Sequence, residues 1–244
     1  MTISKNNKTC LTVFNSNPKI IAVDGPAGAG KSTVAKFLSK RLGYLYLDTG
    51  AMYRAVTLNA IKSHVNFLDS KALVKSAQKS RINLERTNKG NLNVYLNGEL
   101  VNDLIRTPLV SSLVSFVARL KPIREVMVDL QRKIAGREDC VVEGRDIGTV
   151  VFPRAFVKFY LDASLDVRAK RRCKELQKKS MKVSLKEIND SIERRDRCDI
   201  SRKFGALKKA ADAVYVDTSN LSIDQVVDKL FKLVSARRAE VKFK

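Results

Sequence analysis

An apolar run, a glycine-rich loop and an amphipathic segment follow one another between residues 20 and 43. The run at 20–23 predicts a buried strand, and the stretch 32–42 has apolar side chains at helical spacing, with Gly43 as its stop. The loop between them has three glycines within six residues, which would destabilise the interior of either element. A second apolar strand, YLYLD, follows the helix. This order predicts a parallel sheet with crossover helices.

The loop matches the pattern G-x-x-x-x-G-K-[ST] at 25–32. Glycines let backbone N–H groups approach a polyphosphate closely, and the helix that follows directs its positive end to the same place. Lys31 adds a mobile charge for the outer phosphates, and the Ser32 hydroxyl can bind Mg²⁺. We therefore predict that the loop binds a nucleoside triphosphate, most simply ATP, with Mg²⁺ as cofactor; no NKxD guanine signature supports a GTPase. The residues predicted to bind the donor are Gly25, Pro26, Ala27, Gly28, Ala29, Gly30, Lys31, Ser32 and Thr33.

The rest of the chain also alternates strands and helices, with one interruption. RINLERT and NLNVYLNGELV alternate apolar and polar residues, and Asn97-Gly98 is a hairpin turn signal, so we expect a small antiparallel subdomain near 81–101. CVVEG, VKFYLDA and AVYVDT predict three more core strands. Two basic helices flank KKSMKV, which we expect to be a mobile tip. The sequence thus predicts one α/β domain at 19–244, after a loose leader at 1–18.

The chain is strongly basic, with 47 Lys and Arg against 25 Asp and Glu and a formal net charge of +22. A basic surface can bind nucleic acid, but no nucleic-acid motif is present and only 7% of the residues are aromatic. The segment 164–203 holds 14 of the basic residues against 7 acidic ones, which indicates a phosphate-handling segment. No apolar run has the length of a membrane span or a secretory signal, and the four cysteines lack metal-ligand spacing. We therefore expect a cytoplasmic protein with no membrane or nucleic-acid partner.

Two charged stretches end predicted core strands, and ligands of parallel sheets bind where such strands end. DTGAMYR brings a helix N-terminus and Arg54 near the phosphate loop, where Arg54 could pair with an acceptor phosphate. Asp48 is equally compatible with a helix cap and with a functional role. In EGRDIG, the alternative to a ligand site is a buried structural ion pair between Arg145 and Asp146.

A third charged stretch, RDRCDISR, ends the second basic helix. Arg195, Asp199 and Arg202 are spaced i, i+4 and i+7, which places them on one helix face. Helix spacing alone favours a solvated ion pair over a site here.

The sequence resembles the bacterial cytidylate kinases of the nucleoside monophosphate kinase family. The matching stretches are IAVDGPAGAGKSTVAKFLSKRLGYLYLDTGAMYR, EGRDIGTVVFP, RDRCDISR and DAVYVDTSNLSIDQVV, and the resemblance runs from about Lys19 to about Ser235. It implies transfer of the γ-phosphoryl group of ATP to CMP or dCMP, and we expect a monomer. It also implies a P-loop kinase with a central parallel five-stranded sheet, a nucleotide-binding insert at 64–126 and a mobile helical lid at 166–203. The chain departs from the family in its leader and at Ala206, where the family often has proline.

The resemblance also implies a set of site residues. Arg54 and Arg145 fall near the acceptor phosphate. The remaining positions that contact the monophosphate nucleotide in the family are Thr49, Ser115, Arg124, Asp146, Arg195, Asp199 and Arg202. These side chains suit cytosine: Asp146 can accept its exocyclic amine, whereas uracil would place an oxygen there. Arg124 and Ser115 can serve the ring acceptors, and Asp199 and Arg195 can read the ribose hydroxyls.

The implied reaction needs no general base, because the acceptor phosphate oxygen is already ionised at pH 7. We expect catalysis by positioning and charge neutralisation, with Lys31 on the donor side. The lid arginines Arg168, Arg171 or Arg172 would close over the site and exclude water. Two alternatives stay open: a nucleic-acid-binding protein with an ATP switch, and a kinase for another small acceptor such as shikimate.

Overall fold

The computed structural model describes residues 18–87, 92–178 and 183–242. Its elements in chain order are β1 (Ile20–Asp24), α1 (Lys31–Leu42), β2 (Leu45–Asp48), α2 (Thr49–Lys62), α3 (Ser70–Lys79), β3 (Ile82–Arg86), β4 (Leu92–Leu96), β5 (Glu99–Leu100), α4 (Pro108–Ala118), α5 (Lys121–Ala135), β6 (Cys140–Glu143), β7 (Val157–Asp162), α6 (Leu165–Gln177), α7 (Leu185–Ile200), β8 (Val214–Asp217) and α8 (Ile223–Lys242). A 3₁₀ turn lies at Leu104–Arg106 and a π-helical turn at Ile147–Val151. The predicted leader, except Pro18, and the centre of the predicted mobile tip, 179–182, lie outside the described residues.

Five strands form the predicted parallel sheet, in the order β2–β6–β1–β7–β8. β1 lies at the centre and pairs with β6 in a register that begins at Ile20↔Cys140. Every residue of β1 is buried, as expected for a parallel strand covered by helices on both faces. Because the strands are parallel, the turns that follow β1, β2 and β6 emerge at the same edge of the sheet.

The two faces of the sheet contribute to two separate apolar cores. Ile20 and Ala22 belong to the core that includes residues of α2 and α5, whereas Ile21 and Val23 belong to the core that includes residues of α1 and α8. This alternation follows from the strand geometry, in which successive side chains point to opposite faces. The continuous apolar character of β1 is therefore explained by burial on both sides.

The predicted antiparallel subdomain is present as a three-stranded sheet in the order β3–β4–β5. Asn97 and Gly98 form the turn between β4 and β5, with positive φ angles of 53° and 90°, as the hairpin signal predicts. Val94 and Leu96 of β4 share a small core with Leu58 of α2. The subdomain is thus fixed to the helix that directly follows β2.

The two basic helices, α6 and α7, form a pair with its own apolar contact. The buried residues between them are Ala169, Leu176, Ile188 and Ile192. α7 begins with a capping box, in which Ser184 accepts from the Glu187 N–H and the Glu187 carboxylate accepts from the Ser184 N–H. None of the helices in the described part of the chain has the length and apolar character needed to cross a membrane.

Candidate active site

The glycine-rich loop is packed tightly against β7 and α6. Gly25 has a φ of 144°, and a Cβ added there would overlap the carbonyl oxygen of Leu161. Gly28 has a φ of 79°, and its Cβ would lie 3.0 Å from the Cβ of Arg168. Gly30, with a φ of 84°, is the N-cap of α1. Packing therefore requires glycine at positions 25 and 28, and the positive φ angles favour glycine at all three positions.

Lys31, the first residue of α1, is buried beneath this loop. Its ammonium group donates a hydrogen bond to the carbonyl oxygen of Pro26 at 2.5 Å. Burial, followed by the repulsion of Arg145, lowers the pKa of Lys31 to about 7. The charged form of the side chain is thus only partly stabilised by its surroundings.

Ser32 faces a buried carboxylate that the sequence interpretation did not assign. The Ser32 hydroxyl donates to Glu143 Oε2 at 2.9 Å, and the Tyr46 hydroxyl donates to Glu143 Oε1. Burial, with the nearby Asp48, raises the pKa of Glu143. A charged residue that ends a core strand beside β1 was the signal that could have identified Glu143.

A hydroxyl and a carboxylate are hard oxygen donors, the type that Mg²⁺ prefers, so the residues present fit this ion. Mg²⁺ commonly uses one or two protein ligands together with the phosphates of a substrate. The described residues contain no group of three or more His, Cys, Asp or Glu side chains that could hold a metal ion. Ser32 and Glu143 are the residues that would hold Mg²⁺ here.

Asp146 forms a buried ion pair with Arg124 rather than with its neighbour Arg145. The Arg124 Nη2 group donates to Asp146 Oδ2 at 2.5 Å, and Nη1 donates to the carbonyl oxygen of Ala118 at 3.0 Å. Arg124 is 1% exposed, and its guanidinium carbon lies 5.2 Å from the centre of the Tyr53 ring. The structural ion pair considered between Arg145 and Asp146 is therefore wrong: these neighbours bind different partners, Asp199 and Arg124.

Asp24, at the end of β1, fixes the backbone that follows Asp146. Its carboxylate accepts from the N–H groups of Ile147 at 2.8 Å and Gly148 at 2.7 Å. Burial raises the pKa of Asp24 to about 6, and the two backbone hydrogen bonds oppose this shift. The first residue before the glycine-rich loop thus anchors the turn that carries Asp146.

Asp199 is held between two arginines from different parts of the chain. Arg145 Nε donates to Asp199 Oδ2 at 2.8 Å, and Arg202 Nη2 donates to Asp199 Oδ1. Although burial opposes it, the attraction of Arg145 and Arg202 lowers the pKa of Asp199. The solvated pair that helix spacing favoured is therefore wrong, since Asp199 is buried and joins the end of α7 to the turn after β6.

Arg54 and Arg195 lie close to Arg145, and these three arginines, with Arg202, form a basic cluster around Asp199. Among the residues that the structure describes, Arg54 Nε is buried without a hydrogen-bond partner. Burial lowers the pKa of Arg54, and burial followed by repulsion from Arg145 lowers the pKa of Arg195 to about 9. These arginines thus carry positive charge that the surrounding carboxylates compensate only in part.

The three arginines that the resemblance assigns to a lid differ in their surroundings. Arg168 is buried and donates to the carbonyl oxygen of Ala27 at 2.9 Å and to Asp196 at 2.5 Å, which connects α6 and α7 to the glycine-rich loop. Arg171 donates to the carbonyl and hydroxyl oxygens of Thr218, whereas Arg172 pairs with Glu175 at 2.7 Å. Their proposed contact with a phosphoryl group stays a prediction.

The remaining predicted residues lie on α1, α2 and α4. Thr49 Oγ1 donates to the carbonyl oxygen of Glu143 at 2.7 Å, which joins the start of α2 to the end of β6. Asp48 caps α2 by accepting from the Ala51 N–H at 3.0 Å, so the cap interpretation is confirmed. Thr33 is exposed in the first turn of α1, and Ser115 is partly buried in α4.

Comparisons with known proteins match nearly the whole domain. The family model described as cytidylate kinase matches residues 21–236. A cytidylate kinase from Lactobacillus gasseri is 50% identical over 218 residues, which cover 89% of this chain and 94% of the relative. A cytidylate kinase from Pelotomaculum thermopropionicum is 49% identical over 227 residues, which cover 93% of this chain and 100% of the relative.

Among solved structures, an uncharacterised protein from Eubacterium ventriosum superimposes with a TM-score of 0.50 and 13% identity, over 89% of this chain and 98% of that one. At this identity the likeness shows the fold alone. The family match and the two close relatives agree with the resemblance carried by the motifs. The chain belongs to the cytidylate kinase family.

Proposed function

We propose that this protein transfers the γ-phosphoryl group of ATP to CMP or dCMP. The observation that carries the proposal is the buried Asp146 carboxylate, which is paired with Arg124 and anchored by Asp24 directly beside the glycine-rich loop. A fixed acceptor of hydrogen bonds at this place suits the exocyclic amine of cytosine. The match to the cytidylate kinase family supports the same substrate.

The basic cluster supports binding of two phosphate chains. Lys31, at the start of α1 beneath the loop, would bind the β- and γ-phosphates of ATP together with the loop N–H groups. Arg54 and Arg145 would bind the phosphate of the acceptor, whose oxygen attacks the γ-phosphorus in line. Positioning and neutralisation of charge are then sufficient for catalysis, because this oxygen is ionised without a base.

Mg²⁺ would be held by the predicted ligand Ser32 together with Glu143, whose carboxylate is oriented by hydrogen bonds from Ser32 and Tyr46. When bound, the ion neutralises charge on the β- and γ-phosphates. The carboxylate of Glu143 is buried and close to Lys31, so the two groups compensate each other's charge when no metal contacts them.

Selection of the nucleoside would depend on three sets of side chains. Asp146 would accept from the cytosine amine, while Arg124 and Ser115 serve the ring acceptors. Arg195, Asp199 and Arg202 would read the ribose from the end of α7, and Thr49 would contact the nucleotide from the start of α2. The lid arginines Arg168, Arg171 or Arg172 would exclude water from the site.

The proposal extends to the organisation and the setting of the protein. The segment 64–126 would act as the insert for the monophosphate nucleotide, and the segment 166–203 would close as a lid. ATP and CMP or dCMP, rather than nucleic acid, would be its partners, and it would work as a monomer in the cytoplasm. An oligonucleotide titration at several salt concentrations and analytical ultracentrifugation test the absence of a nucleic-acid partner and the monomer.

The proposed reaction is tested by following ADP release with Mg²⁺-ATP and CMP, dCMP, UMP or AMP as acceptor. Uracil would place an oxygen against Asp146, and an unpaired buried polar contact costs about 1–3 kcal/mol. We therefore expect kcat/KM for CMP to exceed that for UMP by about 10- to 100-fold. Equal values for the two pyrimidines would contradict the role of Asp146, and ADP release that needs no monophosphate would contradict the proposed reaction.

The variant Asp146→Asn isolates the charge and acceptor pattern at this position. An amide can donate to the uracil oxygen, so the preference for CMP over UMP should fall at least tenfold. Asp129→Asn, an exposed carboxylate on α5, is the matched control and should leave the preference unchanged. Thermal unfolding of both variants reports how much stability the fold loses when Arg124 no longer has a charged partner. A folded Asp146→Asn enzyme with unchanged preference would overturn the assignment.

A further inference from the structure

A glycine beyond the end of α7 lies directly against the Arg124–Asp146 ion pair. Gly205 is buried and has a φ of 66°, in the left-handed region. A Cβ added to it would lie 2.5 Å from Arg124 Nη2 and 2.5 Å from Asp146 Oδ2, and still closer to Arg124 Nε. Arg124 Nη2 and Asp146 Oδ2 are the two atoms that form the ion pair. Both the backbone conformation and the lack of space therefore require glycine at this position.

The ion pair has little freedom to move away from Gly205. The guanidinium of Arg124 is also held by the carbonyl oxygen of Ala118 and lies over the Tyr53 ring. The backbone after Asp146 is fixed by the hydrogen bonds to Asp24. An added methyl group would therefore displace the ion pair or separate the Gly205 segment from it.

Gly205 is in turn connected to the end of α7. The N–H of Leu207 donates to the carbonyl oxygen of Asp199 at 2.8 Å, and the Leu207 side chain is buried. The Asp199 carboxylate binds Arg145 and Arg202. The segment that contacts the base-selecting pair is thus anchored to a residue proposed to contact the ribose.

We propose that Gly205 is a positioning residue for nucleobase selection. Its backbone forms one wall of the Arg124–Asp146 pair and holds the Asp146 carboxylate in the orientation that accepts from the cytosine amine. Because Leu207 ties this wall to Asp199, the position of α7 and the orientation of Asp146 are coupled. This inference rests on the proposed function, and it adds a specificity role for a residue that need not touch the substrate.

Gly205→Ala tests the inference against a matched glycine. The expected result is a KM for CMP raised at least tenfold and a CMP-to-UMP preference lowered at least tenfold, with the KM for ATP changed less than threefold. Gly43→Ala is the control, because Gly43 has a similar φ of 72° and its Cβ would meet nothing within 4 Å. It carries the same backbone strain and should alter neither KM nor preference. Equal effects of the two substitutions, or an unchanged preference in Gly205→Ala, would overturn the proposal.

Two further measurements keep the result decisive. If Gly205→Ala does not fold, Leu207→Ala loosens the same wall without adding atoms and should raise the KM for CMP at least threefold; an unchanged KM counts against the proposal. A double-mutant cycle of Gly205→Ala with Asp146→Ala, measured by urea unfolding, needs no substrate. Non-additivity of at least threefold in the unfolding equilibrium constant is expected, and additivity would refute the contact. If the double-mutant cycle is non-additive but the wild-type protein does not phosphorylate CMP, the contact is real and the proposed function is refuted, together with the role in base selection.

Discussion

Binding of ATP should be accompanied by uptake of a proton at Lys31. Burial and the nearby Arg145 lower the pKa of this residue to about 7. At pH 8 only about one tenth of the side chains then carry a proton, and at pH 7 about half do. Phosphate oxygens in contact with the ammonium group would restore a pKa well above 9. We therefore expect uptake of about 0.9 proton per nucleotide at pH 8 and about 0.5 at pH 7.

Isothermal titration calorimetry measures this uptake directly. The binding enthalpy of Mg²⁺-ATP is determined at pH 8 in several buffers, and its slope against the buffer ionisation enthalpy gives the number of protons. Because binding is coupled to proton uptake, the affinity falls as the pH rises. The Kd of the wild-type protein should therefore also be about 50-fold higher at pH 9 than at pH 7. The affinity of Asp129→Asn should follow the same curve.

Lys31→Arg is the decisive comparison, because arginine has a much higher intrinsic pKa than lysine and keeps its charge at pH 8. Any proton released from Glu143 on metal binding is released in both proteins, so the difference between their slopes belongs to Lys31. We expect this difference to approach 0.9 proton at pH 8. Identical slopes would show that Lys31 is already protonated before ATP binds, and would refute the reasoning from burial.

Two further predictions concern stability. Ser184→Ala removes the capping box with Glu187 and should lower the free energy of unfolding by about 1 kcal/mol, whereas the exposed Ser191→Ala in the same helix should change it far less; equal effects in urea unfolding would contradict the role of the cap. Asp24→Asn removes a carboxylate whose pKa is raised from 3.8 to about 6 by burial. A folded-state pKa above the unfolded value gives stability that is lost as the pH rises, so wild type should lose about 2.5 kcal/mol relative to Asp24→Asn between pH 3.8 and pH 7. A difference that does not change with pH would count against this.

The fold was predictable from the sequence wherever local pattern and burial agree. The apolar runs predicted the five core strands, and Asn97-Gly98 predicted the turn of the antiparallel sheet. The π-helical turn at Ile147–Val151 was not predicted, because the β-branched residues in IGTVV do not indicate a helix. Its first N–H groups are bound by Asp24, more than a hundred residues earlier in the chain. Such a partner cannot be read from local spacing.

In the candidate site, the sequence likewise indicated the types of residue but not their partners in the fold. The motifs identified the charged residues, but not which carboxylate each arginine binds. Adjacent Arg145 and Asp146 bind Asp199 and Arg124, because the turn after β6 directs successive side chains to different sides. Gly205 has no motif at all. Glycine is required at position 205 because the Arg124–Asp146 ion pair, from a distant part of the sequence, approaches its backbone in the folded chain.

The distribution of carboxylates among the arginines gives the site its preorganised charge. Arg124, Arg168 and Arg202 each have a buried carboxylate partner, so their positive charges are largely compensated before a ligand binds. Arg54 and Arg195 form no ion pair among the residues that the structure describes, and burial lowers the pKa of both. The free energy needed to remove these two charges from water is already included in the stability of the fold. Phosphate oxygens that bind in this cluster, as proposed, would therefore meet desolvated and oriented cations, which is the condition under which electrostatic stabilisation of a transferring phosphoryl group is strongest.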